Sequence, residues 1–200
     1  MKKFIIIALS IIVSSMVLSL NPLTLIDEND SKIDLKYKTF LMDFVEQQYY
    51  LAAGKPMSNE RKQQIVNGII EASKQFEISP LLIAAIIDTE TNFRNLIGSY
   101  GEVGYMQLKP TTAKYMIDKY PEIFEKLGYT EKSTDWIEKR LLTDPMYNIL
   151  VGTAYLNYLM EIHEGDLFTA IGWYNGGGNE YYAKKVIFKI NSINIKYPTI

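Results

Sequence analysis

Apolar residues recur along most of the chain at steps of three and four positions, the spacing of one face of an α-helix. The first predicted helix carries Tyr37, Phe40, Leu41, Phe44, Val45 and Tyr49, and the second carries Ile65, Ile69, Ala72 and Phe76. The breaker AAGKPMSNE separates the two. No alternating pattern of useful strand length occurs, so the chain is predicted to be mainly α.

A third helix is predicted to begin at Ser79 and Pro80, with serine as N-cap and proline at the first helical position. The segment that follows, LLIAAIIDTETNF, is apolar on most of its surface, and we expect it in the middle of the core. Glu90 then lies on its last turn. Asp88 lies on another side of this helix and is expected to be an ordinary surface acid.

Glycines and prolines divide the remainder of the chain. Residues 94–105 contain three glycines and are predicted to form a loop, with or without a short hairpin. Further helices are predicted over residues 111–120, 122–141 in a less regular form, 144–162, 167–174 and 179–190. Trp173, inside the fourth of these, is expected in the core.

The first twenty residues combine two lysines with an apolar run, as the n-region and h-region of an export signal do. An apolar run of about 17 to 25 residues also spans a bilayer, so residues 1–20 are either a cleaved signal peptide or a retained N-terminal membrane anchor. Both alternatives predict export to the periplasm or cell envelope. The polar, acidic residues 21–34 are predicted to be a spacer before a domain over residues 35–200.

Composition excludes several classes of partner and site. The 200 residues suffice for one domain, and the net charge of −2 comes from interspersed acids and bases without a basic stripe. We therefore predict no nucleic-acid partner. The chain has no cysteine and a single histidine, His163, so neither a thiolate metal site nor a nucleophilic dyad is predicted.

Candidate chemistry begins with Glu90 and the motif ETNF that it opens. A carboxylate at the end of an apolar helix is partly desolvated, which raises its pKa toward the range that a general acid needs. The alternative is an exposed acid at a frayed helix end. Three further groups of residues follow in order: GEVGYMQ over 101–107 with PTTA over 110–113, DPMYNI over 144–149, and WYNGG over 173–177.

These motifs resemble, in their order and spacing, those of the soluble lytic transglycosylase family of the lysozyme-like superfamily. The resemblance covers about residues 76–190 and implies a lysozyme-like α-helical domain with a glycine-rich active-site loop or short hairpin. It implies cleavage of the β-1,4 bond between N-acetylmuramic acid and N-acetylglucosamine in peptidoglycan, with a 1,6-anhydromuramyl product. The substrate's acetamido group would act as internal nucleophile, so that one acid suffices and no metal or cofactor is needed.

The resemblance also assigns roles to individual residues. Glu90 is implied as the acid and base. The implied substrate-binding residues are Ser99, Met106, Gln107, Tyr174, Asn175 and Tyr182. For Tyr182 the alternative is core packing, the commoner fate of tyrosine at helical spacing. The loop is one residue shorter than the family pattern, so the family's serine position falls either on Ser99 or on Gly98.

Two other functions compete with this interpretation. A muramidase on the same fold would release reducing ends, and Glu102 is the second carboxylate that it would use. A non-catalytic peptidoglycan-binding envelope protein would keep the fold without turnover. In any of these roles, residues 35–76 lie outside the strongest motifs and either complete the domain or contact an envelope or secretion-machine partner.

Overall fold

The computed structural model describes residues 22–196. In that range it has nine helices: α1 (Pro22–Ala53), α2 (Asn59–Phe76), α3 (Pro80–Glu90), α4 (Pro110–Lys119), α5 (Pro121–Lys126), α6 (Thr134–Thr143), α7 (Pro145–Ile162), α8 (Leu167–Tyr174) and α9 (Glu180–Lys196). No strand occurs among the described residues, only isolated bridges. The predicted mainly α class is confirmed.

The chain divides into two units, Met1–Ile33 and Asp34–Ile200. In the first unit the predicted export segment, 1–20, lies outside the described residues, and the backbone is helical from Pro22 onward, within the predicted spacer. Across the part of the chain that the structure describes, no helix is both long and apolar enough to cross a membrane. The boundaries of spacer and domain stay predictions.

Proline and side-chain caps fix where several helices begin. Helices α3, α4, α5 and α7 each begin with a proline, whose missing N–H has no intrahelical partner to lose at that position. Asp144 caps α7, because its Oδ1 accepts a hydrogen bond from the backbone N–H of Tyr147 at 3.1 Å. Ser79 is the N-cap residue of α3, although its side chain makes no capping hydrogen bond. These signals explain why the predicted starts of α3, α4 and α7 agree closely with the structure, whereas α1 is helical well before the predicted first helix, from Pro22 within the predicted spacer.

Helix α3 runs through the core of the second unit. All residues from Leu81 to Asp88 are buried, and the helix packs against α2 and α9. Helix α2 in turn packs along α7, where Gly68 permits close approach, since a Cβ there would lie 3.1 Å from the Cα of Met146. Glu90, the last residue of α3, therefore lies where the central helix leaves the core.

Asp88 is not the surface acid that the sequence predicts. Its side chain is only 3 % exposed and forms an ion pair with Lys189 of α9. The amide of Asn92 also donates to Oδ1 of Asp88, at 2.9 Å. A buried carboxylate needs such partners, and the lysine that provides the charge lies 101 residues away in the sequence.

Other segments differ from the predictions in detail. The less regular stretch 122–141 resolves into α5 and α6, and the last helix continues to Lys196. Residues 91–109 lie outside the helices and contain antiparallel bridges from Val103 to both Ile97 and Leu108. Trp173 is 42 % exposed rather than in the core, with its ring centroid 5.4 Å from that of His163.

Candidate active site

Glu90 is half-buried, and one of its carboxylate oxygens has a fixed partner. The hydroxyl of Tyr182 donates a hydrogen bond to Oε1 at 2.6 Å. Burial raises the pKa of the Glu90 carboxyl above its ordinary value; the Tyr182 hydrogen bond and the charge of Lys185 oppose that shift, and the charge of Glu102 adds to it. Glu90 consequently holds its proton to a higher pH than an exposed glutamate does.

A cleft of about 580 Å³ opens beside this carboxylate. Five of the predicted site residues line it: Glu90, Ser99, Gln107, Tyr174 and Asn175. They come from the end of α3, from the 91–109 loop and from the end of α8 with the turn after it. The fold thus brings together residues that are far apart in the sequence.

The other two predicted residues, Met106 and Tyr182, lie behind the cleft surface. The sequence predicts that Met106 lines the cleft, whereas its side chain is fully buried, because it occupies the space that a Cβ of Gly152 would need. The carbonyl of Met106 accepts a hydrogen bond from the hydroxyl of Tyr174 at 3.1 Å. Tyr182 is 6 % exposed and reaches Glu90 from the core side.

Asn148, which is not among the site residues predicted from the sequence, holds the loop in place. This fully buried amide accepts from the backbone N–H of Met106 at 2.9 Å and donates to the carbonyls of Val103 and Leu141 at 3.0 and 3.1 Å. Gly104, with φ +83°, approaches so closely that a Cβ would lie 2.7 Å from Cγ of Asn148. The available signal was a polar residue, inside the DPMYNI motif, in an otherwise apolar helix.

Gln107 has a left-handed backbone, with φ +50°. Its Nε2 donates to the carbonyls of Gly104 and Leu96 at 2.8 and 3.2 Å, so the side-chain amide links two parts of the 91–109 loop. Its Oε1 lies 2.7 Å from the place of a Cβ on Gly98. A Cβ at position 98 would meet the ends of the Glu102 and Gln107 side chains, whereas Ser99 is exposed and lines the cleft.

The turn after α8 is tied to the start of α9. Oδ1 of Asn175 accepts from Nδ2 of Asn179 at 2.8 Å. Oδ1 of Asn179 in turn accepts from the backbone N–H of Tyr182 at 3.0 Å, in the manner of a helix cap. The same short segment therefore orients the cleft-lining Asn175 and the tyrosine that contacts Glu90.

Several cleft residues were not predicted as substrate-binding. They are Tyr100, Glu102, Leu108, Lys109, Thr112, Tyr155 and Gly176, together with Gly98. Glu102 is oriented by its neighbours, since Oε2 accepts from the backbone N–H of Tyr100 at 3.1 Å and Oε1 lies 3.8 Å from Nζ of Lys109. Among the described residues, no group of three or more histidine, aspartate or glutamate side chains could hold a metal ion.

Comparison with known proteins identifies the family. The model of the Transglycosylase SLT domain matches residues 67–193. The chain belongs to this family. The SLT match includes Glu90, every residue that lines the cleft, and Tyr182.

One relative carries a name that agrees with the SLT assignment. Over 111 residues the chain is 34% identical to a protein named "Transglycosylase" from Enterobacteria phage PRD1. The match covers 54% of this chain and 33% of that protein, so the chain spans about a third of the relative's length. The predicted SLT family and its transglycosylase type are thereby confirmed at the level of the domain.

Proposed function

We propose that this SLT-domain protein is an exported peptidoglycan lytic transglycosylase. It cleaves the β-1,4 bond between N-acetylmuramic acid and N-acetylglucosamine and leaves a 1,6-anhydromuramyl end. The observation that supports this most directly is Glu90, a half-buried carboxyl with a raised pKa at the edge of an open cleft. Membership in the SLT family supports the substrate class.

The first step uses the protonated form of Glu90. Its carboxyl donates the proton to the glycosidic oxygen, and the bond between that oxygen and C1 of the muramyl sugar breaks. The carbonyl oxygen of the sugar's own 2-acetamido group forms a bond to C1, so no second carboxylate is needed. Because Tyr182 occupies Oε1, we assign the proton to Oε2.

The second step uses the carboxylate that the first step leaves. Glu90 takes the proton of the O6 hydroxyl of the same sugar, and O6 attacks C1 while the bond to the acetamido oxygen breaks. The products are the anhydro ring and a reprotonated Glu90. The Tyr182 hydrogen bond stabilises the carboxylate between the two steps.

The other cleft residues bind and orient the glycan. Because Nε2 of Gln107 is committed to the loop, its Oε1 is the atom available to accept from an acetamido N–H or a sugar hydroxyl. Ser99 and Asn175 are exposed on the cleft and offer polar groups to the sugars. Tyr174 also lines the cleft, while its hydroxyl donates a hydrogen bond to the Met106 carbonyl.

Digestion of purified sacculi tests the proposal. The protein and its Glu90→Gln variant are incubated with sacculi, and the products are identified by mass spectrometry before and after borohydride reduction. Anhydromuramyl products that disappear with the variant support both the reaction and the role of Glu90. Their absence from the wild-type digest would refute the proposal.

A muramidase is the second candidate, because Glu102 lines the same cleft. In that reaction Glu90 protonates the leaving oxygen, while Glu102 activates a water that attacks C1. Borohydride-reducible ends in place of anhydro ends would support it. Glu102→Gln would then abolish turnover, whereas in the lytic mechanism that variant retains activity.

A non-catalytic peptidoglycan-binding envelope protein remains a third candidate on the fold alone. Binding to sacculi with no products, unchanged in Glu90→Gln, would support it.

Export through residues 1–20, as a cleaved signal or retained anchor, belongs to the proposal and is tested by fractionating cells that express the full chain. For residues 35–76 two proposals stand: they complete the domain, which the burial of Phe44 and Ile69 supports, or they contact an envelope or secretion-machine partner.

A further inference from the structure

A second pocket, of about 480 Å³, is lined by the end of α1, the connection to α2, the start of α2 and the 91–109 loop. Its lining includes three cationic side chains, Lys55, Arg61 and Arg94, and no acidic residue. Of its aromatic lining residues, Tyr49 is partly exposed, whereas Phe93 and Tyr105 are buried beneath the pocket surface. A concentration of positive charge in a concave site attracts an anion.

The three cations are not neutralised within the described part of the protein. Arg61 donates through Nη1 to the hydroxyl of Tyr105 at 3.4 Å, and Arg94 donates through Nε to the carbonyl of Thr91 at 2.9 Å. Both partners are uncharged, and neither arginine nor Lys55 forms an ion pair among the described residues. The nearby carboxylate of Glu46 is engaged by Lys62 at 2.9 Å.

Both arginines keep donors for a ligand. A guanidinium carries five N–H groups in a planar fork, and each of these two uses one of them in the contacts just described. Arg61 and Arg94 are half-buried, so a bound anion would be partly shielded from water. Under these conditions a carboxylate gains from charge-assisted hydrogen bonds.

The pocket and the candidate active site are lined by different residues of the same 91–109 loop. Phe93 and Arg94 follow Glu90 closely in the chain, and the carbonyl of Tyr105 accepts from the hydroxyl of Thr91 at 2.9 Å. Tyr105 immediately precedes Met106 and Gln107. A ligand held here therefore contacts the loop that also forms the catalytic cleft.

We propose that this pocket binds the terminal carboxylate of a short peptide. The cations receive the carboxylate, and the partly exposed ring of Tyr49 contacts the peptide's aliphatic part. The volume exceeds what an inorganic anion fills, which favours a peptide. Peptidoglycan carries short peptides, called stem peptides, that have free carboxylates. The assignment of a stem peptide as the occupant rests on the proposed function, whereas the assignment of a carboxylate-binding site does not.

Calorimetric titration at low ionic strength tests the site on the full chain. The probes are N-acetyl-L-lysyl-D-alanyl-D-alanine, its C-terminal amide and inorganic phosphate. We expect the acid to bind about tenfold or more tightly than the amide, which corresponds to loss of one charge-assisted contact. Equal binding of acid and amide, or no binding of the acid, would overturn the proposal; so would phosphate that binds as tightly as the peptide and displaces it.

Variants locate the site. Arg94→Gln is expected to weaken peptide binding about tenfold, and Arg94→Lys to weaken it less because the charge is kept. Lys126→Gln, on the exposed surface of α5, is the matched control and should bind normally. Thermal unfolding checks that each variant is folded. Normal binding by folded Arg94→Gln and Lys55→Gln would place the peptide elsewhere and overturn the assignment.

Turnover measurements on two substrates test whether the bound peptide is the stem peptide of peptidoglycan, independently of whether the protein cleaves glycan. With intact sacculi, Arg94→Gln should raise KM several-fold; with glycan strands stripped of their peptides by an amidase, KM should equal that of the wild type. An equal change on both substrates overturns the stem peptide as occupant. Peptide binding without turnover of either substrate supports the pocket while refuting the proposed function.

Discussion

The hydroxyl of Tyr182 lies 2.6 Å from Oε1 of Glu90, although 92 residues separate the two in the sequence. Glu90 ends the central helix α3, and Tyr182 belongs to the first turns of α9. The contact fixes the orientation of one carboxylate oxygen and leaves the other facing away from it. The properties of the candidate acid thus depend on how α9 packs against α3.

Glu90→Gln should reduce transglycosylase turnover by about 10²- to 10⁴-fold, the range lost when a general acid is removed. Glutamine keeps the shape of the side chain and can still accept from Tyr182, so binding to sacculi should persist. Anhydromuropeptide release and a sacculus pull-down measure the two effects. Glu138→Gln, an exposed acid on α6, is the matched control and should leave both unchanged.

Tyr182→Phe should lower turnover about tenfold, since it removes a hydrogen bond to a charged group. The same hydrogen bond lowers the pKa of Glu90, so its loss should raise that pKa further. Because the first step needs protonated Glu90, the alkaline limb of the kcat/KM profile should move to higher pH. Tyr181→Phe is the control, since Tyr181 is 79% exposed. A limb that stays in place in Tyr182→Phe would contradict the assigned contact.

The raised pKa of Glu90 should also appear in stability measurements. A carboxyl whose pKa is higher in the folded state than in the unfolded chain stabilises the fold at pH below the unfolded pKa, and this contribution is lost as pH rises through the folded value. Glu90→Gln cannot ionise, so its free energy of unfolding relative to wild type should increase from pH 4 to pH 8. Urea denaturation of both proteins across that range measures the difference. A constant difference would argue against the shifted pKa.

The buried ion pair of Asp88 and Lys189 should be costly to break from one side. Asp88→Asn or Lys189→Met alone should destabilise by about 2 to 4 kcal/mol, because each leaves a partly buried group without its partner. The double variant should cost less than the sum, as a double-mutant cycle in urea would show. The exposed pair of Lys184 and Glu180 is the control, with an expected coupling below about 1 kcal/mol.

Gly152→Ala should destabilise the protein by about 1 to 3 kcal/mol, although alanine favours a helix by about 1 kcal/mol. The new Cβ would lie 2.8 Å from Cβ of Met106, so the loop that presents Gln107 would have to shift. Turnover should fall together with stability. Adding Met106→Gly, which removes Sδ, Cβ and Cε together, should make the double variant cost less than the sum of the two single changes, and additive costs would mean that the clash lies elsewhere.

Local patterns were sufficient to predict most of the helices and the position of Glu90. Helix starts depend on proline and capping residues close by, and Glu90 lies at the visible end of an apolar run. Asp88 was predicted wrongly because helical periodicity treats each helix alone, and the lysine that makes its burial tolerable lies on α9. The buried position of Met106 likewise depends on a missing side chain at Gly152, in a helix far along the chain.

The cleft residues that the sequence did not predict were missed for one shared reason. Tyr155 lies within the apolar stripe of α7, where core packing is the ordinary expectation, yet it reaches the cleft with its ring centroid 5.3 Å from that of Tyr174. Lys109 and Thr112 stand at the start of α4, where single residues carry no chemical signature. Their roles arise from where the helices meet, which only the tertiary structure contains.

The contact between α9 and α3 also bears on the order of protein synthesis. Glu90 leaves the ribosome long before Tyr182, so a nascent or truncated polypeptide that ends before Tyr182 has the acid without the hydroxyl that orients it. For an enzyme proposed to cleave peptidoglycan, such an incomplete product would have reduced activity. Proteolytic removal of α9 would lower turnover by the same route.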